Sequence, residues 1–180
     1  MSDKKIKTVI VNGLPGCGKT TFEEMCGFML GPYYRRRSSV DKIKEIAKEC
    51  GWNGEKDLRS RAFLSDLKKL LTNFSDLPMK DLAWHIKEFQ EELEYYCINP
   101  AKGVIFIDIR EPEEIARAKK EFDAVTLFIQ RDSVALQETS NASDANVHNY
   151  EYDYVVYNNG TYTELKEEAQ KFLNFLKVDF

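Results

Sequence analysis

The stretch Gly13-Leu14-Pro15-Gly16-Cys17-Gly18-Lys19-Thr20 decides how this chain is read. It fits G-x-x-x-x-G-K-[ST] without a gap, and its flanks give the match its weight. Upstream, Ile6-Lys7-Thr8-Val9-Ile10-Val11-Asn12 is a β-branched run of the kind that forms a strand buried on both faces. Downstream, Phe22, Met25, Cys26 and Met29 recur at helical spacing until Gly31-Pro32 stops the helix. The order is strand, glycine-rich loop, helix. Small residues in such a loop let successive backbone N–H groups converge on an anion, and the helix adds its positive end. Lys19 has the reach for the β- and γ-phosphates of a nucleoside triphosphate, and Thr20 can place a hydroxyl on Mg²⁺. Gly13, Gly16, Cys17, Gly18, Lys19, Thr20 and Thr21 are therefore the expected nucleotide-binding residues, with Lys19 also catalytic. Cys17 admits a redox reading, against the simpler one of a small side chain that fits the turn.

Outward from the loop, strands and helices alternate. Tyr33 to Arg37 is a short strand candidate, and a helix is expected from Asp41 to Cys50. Apolar stripes at 3.6-residue spacing predict helices over about 57–72 (Phe63, Leu64, Leu67, Leu70, Leu71) and 79–97 (Leu82, Ile86, Phe89, Leu93, Tyr96). Val104 to Asp108 and Ala124 to Ile129 read as buried strands, and Pro112 marks the first turn of a helix between them. Tyr154 to Tyr157 is a last strand, and Thr161-x-x-Glu164 opens a closing helix as a capping box. Such alternation predicts an α/β protein with three α/β/α layers and a mostly parallel sheet of five strands. One domain over 1–180 is expected, with a helical insertion at 41–97 and a polar, lid-like segment at 131–150.

The chain has 180 residues, with 43% hydrophobic and 31% charged side chains, which excludes a disordered or collagenous protein. No apolar run approaches the ~20 residues of a membrane helix, and Met1-Ser2-Asp3-Lys4-Lys5 leads into the first strand without signal-peptide character. Cys17, Cys26, Cys50 and Cys97 are scattered, and with only His85 and His148 no zinc spacing arises. A reducing, cytoplasmic setting follows as the expectation. The formal net charge of −4 hides an asymmetry: residues 1–71 hold 15 Lys and Arg against 9 Asp and Glu, residues 72–180 hold 11 against 21. A basic half on an acidic protein suits small anionic ligands rather than a nucleic-acid polymer or a membrane surface.

Asp108 closes its apolar strand where the second Mg²⁺-supporting carboxylate of a phosphate-loop enzyme belongs; the competing reading is a turn or capping aspartate. Arg110, two residues on, is placed either to meet a substrate phosphate or to pair with an acidic neighbour. The guanine-reading N-K-x-D of switch GTPases is missing, and Asp108-Ile109 lacks the second carboxylate of motor-type ATPases. Helices inserted after the second strand and a polar stretch after the fourth give the plan of a small-molecule kinase.

With these motifs in order, the sequence resembles the P-loop nucleoside and deoxynucleoside monophosphate kinases, closest to the phage and bacterial deoxynucleoside monophosphate kinase-like branch, to which phosphomevalonate kinase is related. The resemblance rests on 13–20, on Ser38-Ser39-Val40-Asp41-Lys42-Ile43-Lys44-Glu45, and on Gly51-Trp52-Asn53-Gly54-Glu55-Lys56-Asp57 with Arg61. It continues through Ile107-Asp108-Ile109-Arg110-Glu111-Pro112, Gln130-Arg131, Asn141-x-x-Asp144 and Asp153 to Thr161. It implies ATP- and Mg²⁺-dependent phosphoryl transfer to a nucleoside or deoxynucleoside monophosphate by a monomer or homodimer. Asp41, Lys42, Lys56, Arg61 and Arg110 would surround the acceptor, Arg131 would neutralise the transferring phosphoryl group, and Asn158 to Gly160 would pass the adenine. Residues 132–165 carry no Lys or Arg, whereas adenylate kinase-like lids supply several arginines. Arg131 then acts alone or is helped by Arg35, Arg36 and Arg37, whose other reading is a solvated basic strand edge. Two alternatives stay open: a kinase for another phosphorylated small molecule, and an ATP-binding regulatory or ATPase module.

Overall fold

In the computed structural model, residues 5–135 and 149–178 are described. Five strands, β1 (Lys7–Asn12), β2 (Tyr34–Ser38), β3 (Val104–Asp108), β4 (Val125–Gln130) and β5 (Tyr154–Tyr157), form one sheet in the order β2-β3-β1-β4-β5. Every pairing is parallel. Between the strands lie α1 (Lys19–Leu30), α2 (Asp41–Glu49), α3 (Leu58–Ser75), α4 (Leu77–Tyr95), α5 (Pro112–Phe122) and the short α6 (Asp132–Ala135), and α7 (Tyr162–Phe175) follows β5. The α/β/α fold expected from the alternation is the one formed.

Strand periodicity divides the core between two helix layers, because successive residues face opposite sides of a sheet. Val9, Val11, Val104 and Phe106 pack on one side with Phe22 and Cys26 of α1 and Ala169, Phe172 and Leu173 of α7. Ile10, Ile105 and Ile107 pack on the other with Leu82, Phe89 and Leu93 of α4 and Ile115 and Ala118 of α5. Continuous β-branched runs are what a strand covered on both faces needs. The Thr161 capping box forms as expected: its hydroxyl accepts from the Glu164 N–H at 3.3 Å, and Glu164 Oε2 accepts from the Thr161 N–H at 2.6 Å.

One boundary differs from the sequence reading, and one helix adds a feature that periodicity does not decide. Gly31–Tyr33 forms a 3₁₀ turn, so β2 starts at Tyr34 rather than Tyr33; Pro32, with its fixed φ, sits in the first turn of that helical segment. The stripe on α3 is not core. No α3 residue is buried, and Phe63, Leu70 and Phe74 are 37%, 64% and 86% exposed. Periodicity reports an apolar face, and here α2 and α4 cover that face only in part.

This contrast is measurable by urea unfolding. Phe172, fully buried against Phe22, Phe106 and Tyr154, should cost about 3–5 kcal/mol on replacement by Ala. Phe74→Ala on the outside of α3 should stay within about 0.5 kcal/mol of wild type. Equal losses would restore α3 to the core.

Candidate nucleotide and phosphoryl-transfer site

β1 ends between β3 and β4, so the loop that follows it emerges at the switch point of the sheet, where α/β folds bind ligands. Asn12 fixes the departure. It is fully buried; its Oδ1 accepts from the Gly13 N–H at 2.8 Å, and its Nδ2 donates to Tyr152 Oη at 2.8 Å and the Arg110 carbonyl at 3.2 Å. Gly13 has φ 149, and a Cβ there would strike the Ile129 carbonyl and the Cys17 sulfur. Gly18 has φ 98, and a Cβ there would strike Asn158 Nδ2, which donates to the Cys17 carbonyl at 2.8 Å. Only glycine satisfies both demands. Gly18 also leads into α1, which has no side-chain cap and no acidic residue in its first turn. The first-turn N–H groups are thus left for an anion.

Lys19 folds over the loop, its Nζ donating to the Gly13 carbonyl at 2.5 Å and the Leu14 carbonyl at 3.0 Å. Cys17 is buried, and burial pushes its thiol up against the opposing pull of Lys19. A protonated, enclosed thiol is a small side chain filling a turn, not a reactive one.

Beyond the loop, a groove of about 450 Å³ gathers Gly16, Gly18, Lys19, Thr20 and Thr21 with Arg131, Asn158 and Gly160. The Asn158 N–H donates to the Gln130 carbonyl at 2.7 Å, and Asn159 holds the start of α6 through Asp132. Loop, Arg131 and the segment after β5 therefore share one wall, as the sequence expects.

Asp108 lies at the end of β3, in register with Val11 of β1. Arg36 Nη2 lies 2.7 Å from Asp108 Oδ2 and 3.4 Å from Thr20 Oγ1, so hydroxyl and carboxylate face a common point that a cation occupies. Magnesium takes few protein ligands and completes its shell with phosphate oxygens and water, which suits this pair. Among the described residues no three His, Cys, Asp or Glu side chains gather into a self-sufficient cage. Glu23, one helical turn after Thr20, is fully buried with Oε2 2.8 Å from Arg36 Nε. Yet no aligned hydrogen bond reaches either of its oxygens from the described residues. Burial, with the Asp108 charge adding to it and Arg36 and Lys19 opposing, pushes the Glu23 carboxyl up to about 8.

The acceptor-side candidates are not among the residues that line that groove. Asp41 Oδ2 accepts from the Ser38 N–H at 2.8 Å and so shapes the turn into α2, while Lys42 pairs with Glu45 at 2.9 Å on the surface. Lys56 and Arg61 are exposed at the start of α3, and Arg110 is exposed just past β3. The three arginines of β2 do not act as one edge, because alternate residues face opposite ways. Arg35 turns to α4, paired with both Glu92 oxygens at 2.6 and 2.7 Å and lying 4.8 Å over the Phe89 ring; Arg36 turns to α1. Reading the chain missed Glu23, Tyr152 and the Lys68–Glu114 pair at 2.7 Å. For Glu23 a signal existed: it stands three residues after Thr20, on the same helix face. Asn141, Asp144 and His148 lie outside the described residues.

The Glu23 carboxyl makes stability fall with pH. Below about 4.5 folded and unfolded chains both carry its proton; from there to about 8 only the folded chain keeps it. Glu23→Gln cannot titrate. The stability difference, wild type minus Glu23→Gln, should therefore decline between pH 5 and 8 by at most about 1.4 kcal/mol per unit in urea unfolding. A flat difference would show a carboxyl ionised throughout.

No family model and no curated protein sequence matches this chain. Solved structures do. The chain is similar to thymidylate kinase from Candida albicans at 13% identity and a TM-score of 0.54, covering 96% of this chain and 93% of that one. It is similar to shikimate kinase from Aquifex aeolicus at 14% identity and a TM-score of 0.50, covering 96% and 99%. The likeness spans nearly the whole of each chain, so the fold is that of P-loop kinases.

Proposed function

We propose that this chain is a P-loop small-molecule kinase that moves a phosphoryl group from ATP, with Mg²⁺, to the phosphate of a nucleoside or deoxynucleoside monophosphate. One observation carries the reading. Thr20 and Asp108 flank one cation, the Arg36 guanidinium, and Thr20 lines the groove that also holds Lys19 and Arg131. Uncapped N–H groups of α1 and the 13–20 loop hold the donor phosphates. Lys19 leaves the loop carbonyls for the β- and γ-oxygens. Thr20 and Asp108, the latter partly through water, would hold Mg²⁺, which would supply positive charge beside the donor phosphates. Arg110 orients the acceptor phosphate with Asp41, Lys42, Lys56 and Arg61, and Arg131 stabilises charge on the transferring group. Positioning and electrostatics suffice, with no covalent nucleophile.

In this reading the helices of 41–97 form the acceptor wall and 131–150 the lid, of which 136–148 lie outside the described residues. Among the described residues no helix is long and apolar enough to cross a membrane, and all four cysteines are free, which fits a cytoplasmic setting. The absence of Lys and Arg from 132–165 favours a second reading, an ATPase or nucleotide-binding module that transfers to no small acceptor.

An ADP-release assay over a panel of nucleoside monophosphates, with phosphomevalonate included, separates them. One monophosphate should raise turnover well above the acceptor-free rate; a panel with no effect supports the second reading. Lys19→Ala should lower turnover by at least about 10²-fold with circular dichroism unchanged, and retained activity would overturn the phosphate site. Arg110→Ala should lower kcat/KM for the acceptor by about 10²-fold while ATP affinity stays near wild type. The reverse pattern would move Arg110 to the donor side.

A further inference from the structure

We infer that Arg36 is the resident cation of the metal position, a positioning residue that holds Thr20 and Asp108 together while the divalent ion is away and withdraws onto Glu23 when the ion takes Asp108. The inference rests on the Mg²⁺–nucleotide reading of Thr20 and Asp108, and not on the identity of the acceptor.

Three observations meet here. One guanidinium nitrogen of Arg36 is shared by the two oxygens assigned to the metal, at 2.7 Å from Asp108 Oδ2 and 3.4 Å from Thr20 Oγ1. Beside the same guanidinium, Glu23 Oε2 lies 2.8 Å from Nε, the nitrogen that also donates to Asp108 Oδ2 at 3.2 Å. And Glu23, although fully buried, receives no aligned hydrogen bond at either oxygen from the described residues. A buried carboxyl left in that state is costly, and the donor nearest to it is spoken for by Asp108. Thr20, Glu23 and Asp108 thus surround a single cation, with one acceptor in use and one in reserve.

A divalent ion cannot sit beside an arginine that keeps the same carboxylate, since two cations a few ångströms apart repel strongly. The reserve acceptor resolves the conflict without moving the backbone. β2 is fixed in register, Arg36 opposite Phe106 and Ser38 opposite Asp108, and Glu23 is fixed on the buried face of α1. Turning the guanidinium about its terminal torsions brings N–H groups into line with Glu23 as Asp108 is released. Glu23 serves whether or not it carries a proton, because a protonated carboxyl keeps an acceptor oxygen. Lys19 does not compete for the seat, being held on the Gly13 and Leu14 carbonyls.

Manganese as the probe, with free Mn²⁺ followed by electron paramagnetic resonance, tests both halves. Without nucleotide, Arg36→Gln should bind Mn²⁺ on the order of 10-fold more tightly than wild type, because one positive charge leaves two carboxyls behind. With AMP-PNP present, Glu23→Leu should bind Mn²⁺ on the order of 10-fold more weakly, its arginine having no second seat, while metal-free AMP-PNP affinity stays near wild type. Glu23→Gln keeps an acceptor oxygen and should recover most of that loss; a merely structural role for Glu23 would not make the three side chains differ in metal affinity. Wild-type Mn²⁺ affinity in Arg36→Gln, or in Glu23→Leu with AMP-PNP, overturns the inference. If one of these two does not fold, the other decides alone. A wild-type protein that binds no Mn²⁺ with AMP-PNP overturns the function reading instead.

Discussion

β1 is hydrogen-bonded to parallel strands on both sides, and that double pairing leaves its loop nowhere to go but out of the top of the sheet. The rest of the site depends on this. Asn12, held by three hydrogen bonds at the strand's end, sets the direction of the chain, and the segment after β5 closes on the loop through Asn158. Between these fixed points the backbone passes so near Ile129 and Asn158 that a Cβ at Gly13 or Gly18 has no room. What results is a rigid turn with outward N–H groups, built before any anion arrives. Pre-organisation of that kind is what electrostatic catalysis asks of a protein.

The same strand order puts carboxylates and arginines into contact across the sheet. β2 pairs with β3, so Arg36 stands within reach of Asp108, and α1 lies over that face and brings Glu23 up to the same guanidinium. Alternation sends Arg35 the other way, where Glu92 and the Phe89 ring fasten β2 to α4. Two adjacent arginines thus do unlike things: one secures the helical layer, the other sits between Asp108 and Glu23.

The fold was legible because its signals are local. A β-branched run, a glycine-punctuated loop and the Thr161–Glu164 box each determine backbone shape within a few residues. The places of Lys19, Thr20 and Asp108 in the fold could be foreseen for the same reason, since they follow from strand ends. Glu23 could not be weighed from sequence, because its meaning comes from Arg36 and Asp108, 13 and 85 positions away. α3 shows what such a signal leaves out. Its stripe of Phe63, Leu64, Leu67, Leu70 and Leu71 foretold the helix, but periodicity does not say whether a neighbour covers it, and none of its residues is buried.

The charge asymmetry of the chain changes meaning once it is folded. Residues 1–71 carry the excess of cations, yet Arg35, Arg36 and Lys68 pair with Glu92, Asp108 and Glu114, all from the acidic remainder. Those pairs join β2 to α4, β2 to β3 and α3 to α5, so much of the basic half is structural cement across the sequence divide. It is not a free field for attracting phosphate. Under the proposed function the attraction falls to cations without such a tie: Lys19, whose Nζ contacts the Gly13 and Leu14 carbonyls and the Cys17 sulfur of its own loop, and Arg37, Lys56 and Arg61, which make no ion pair within the described residues. These stand on the loop, at the end of β2 and at the head of α3, so the cations left without a carboxylate partner are few and local, as small anionic ligands require under the proposed function.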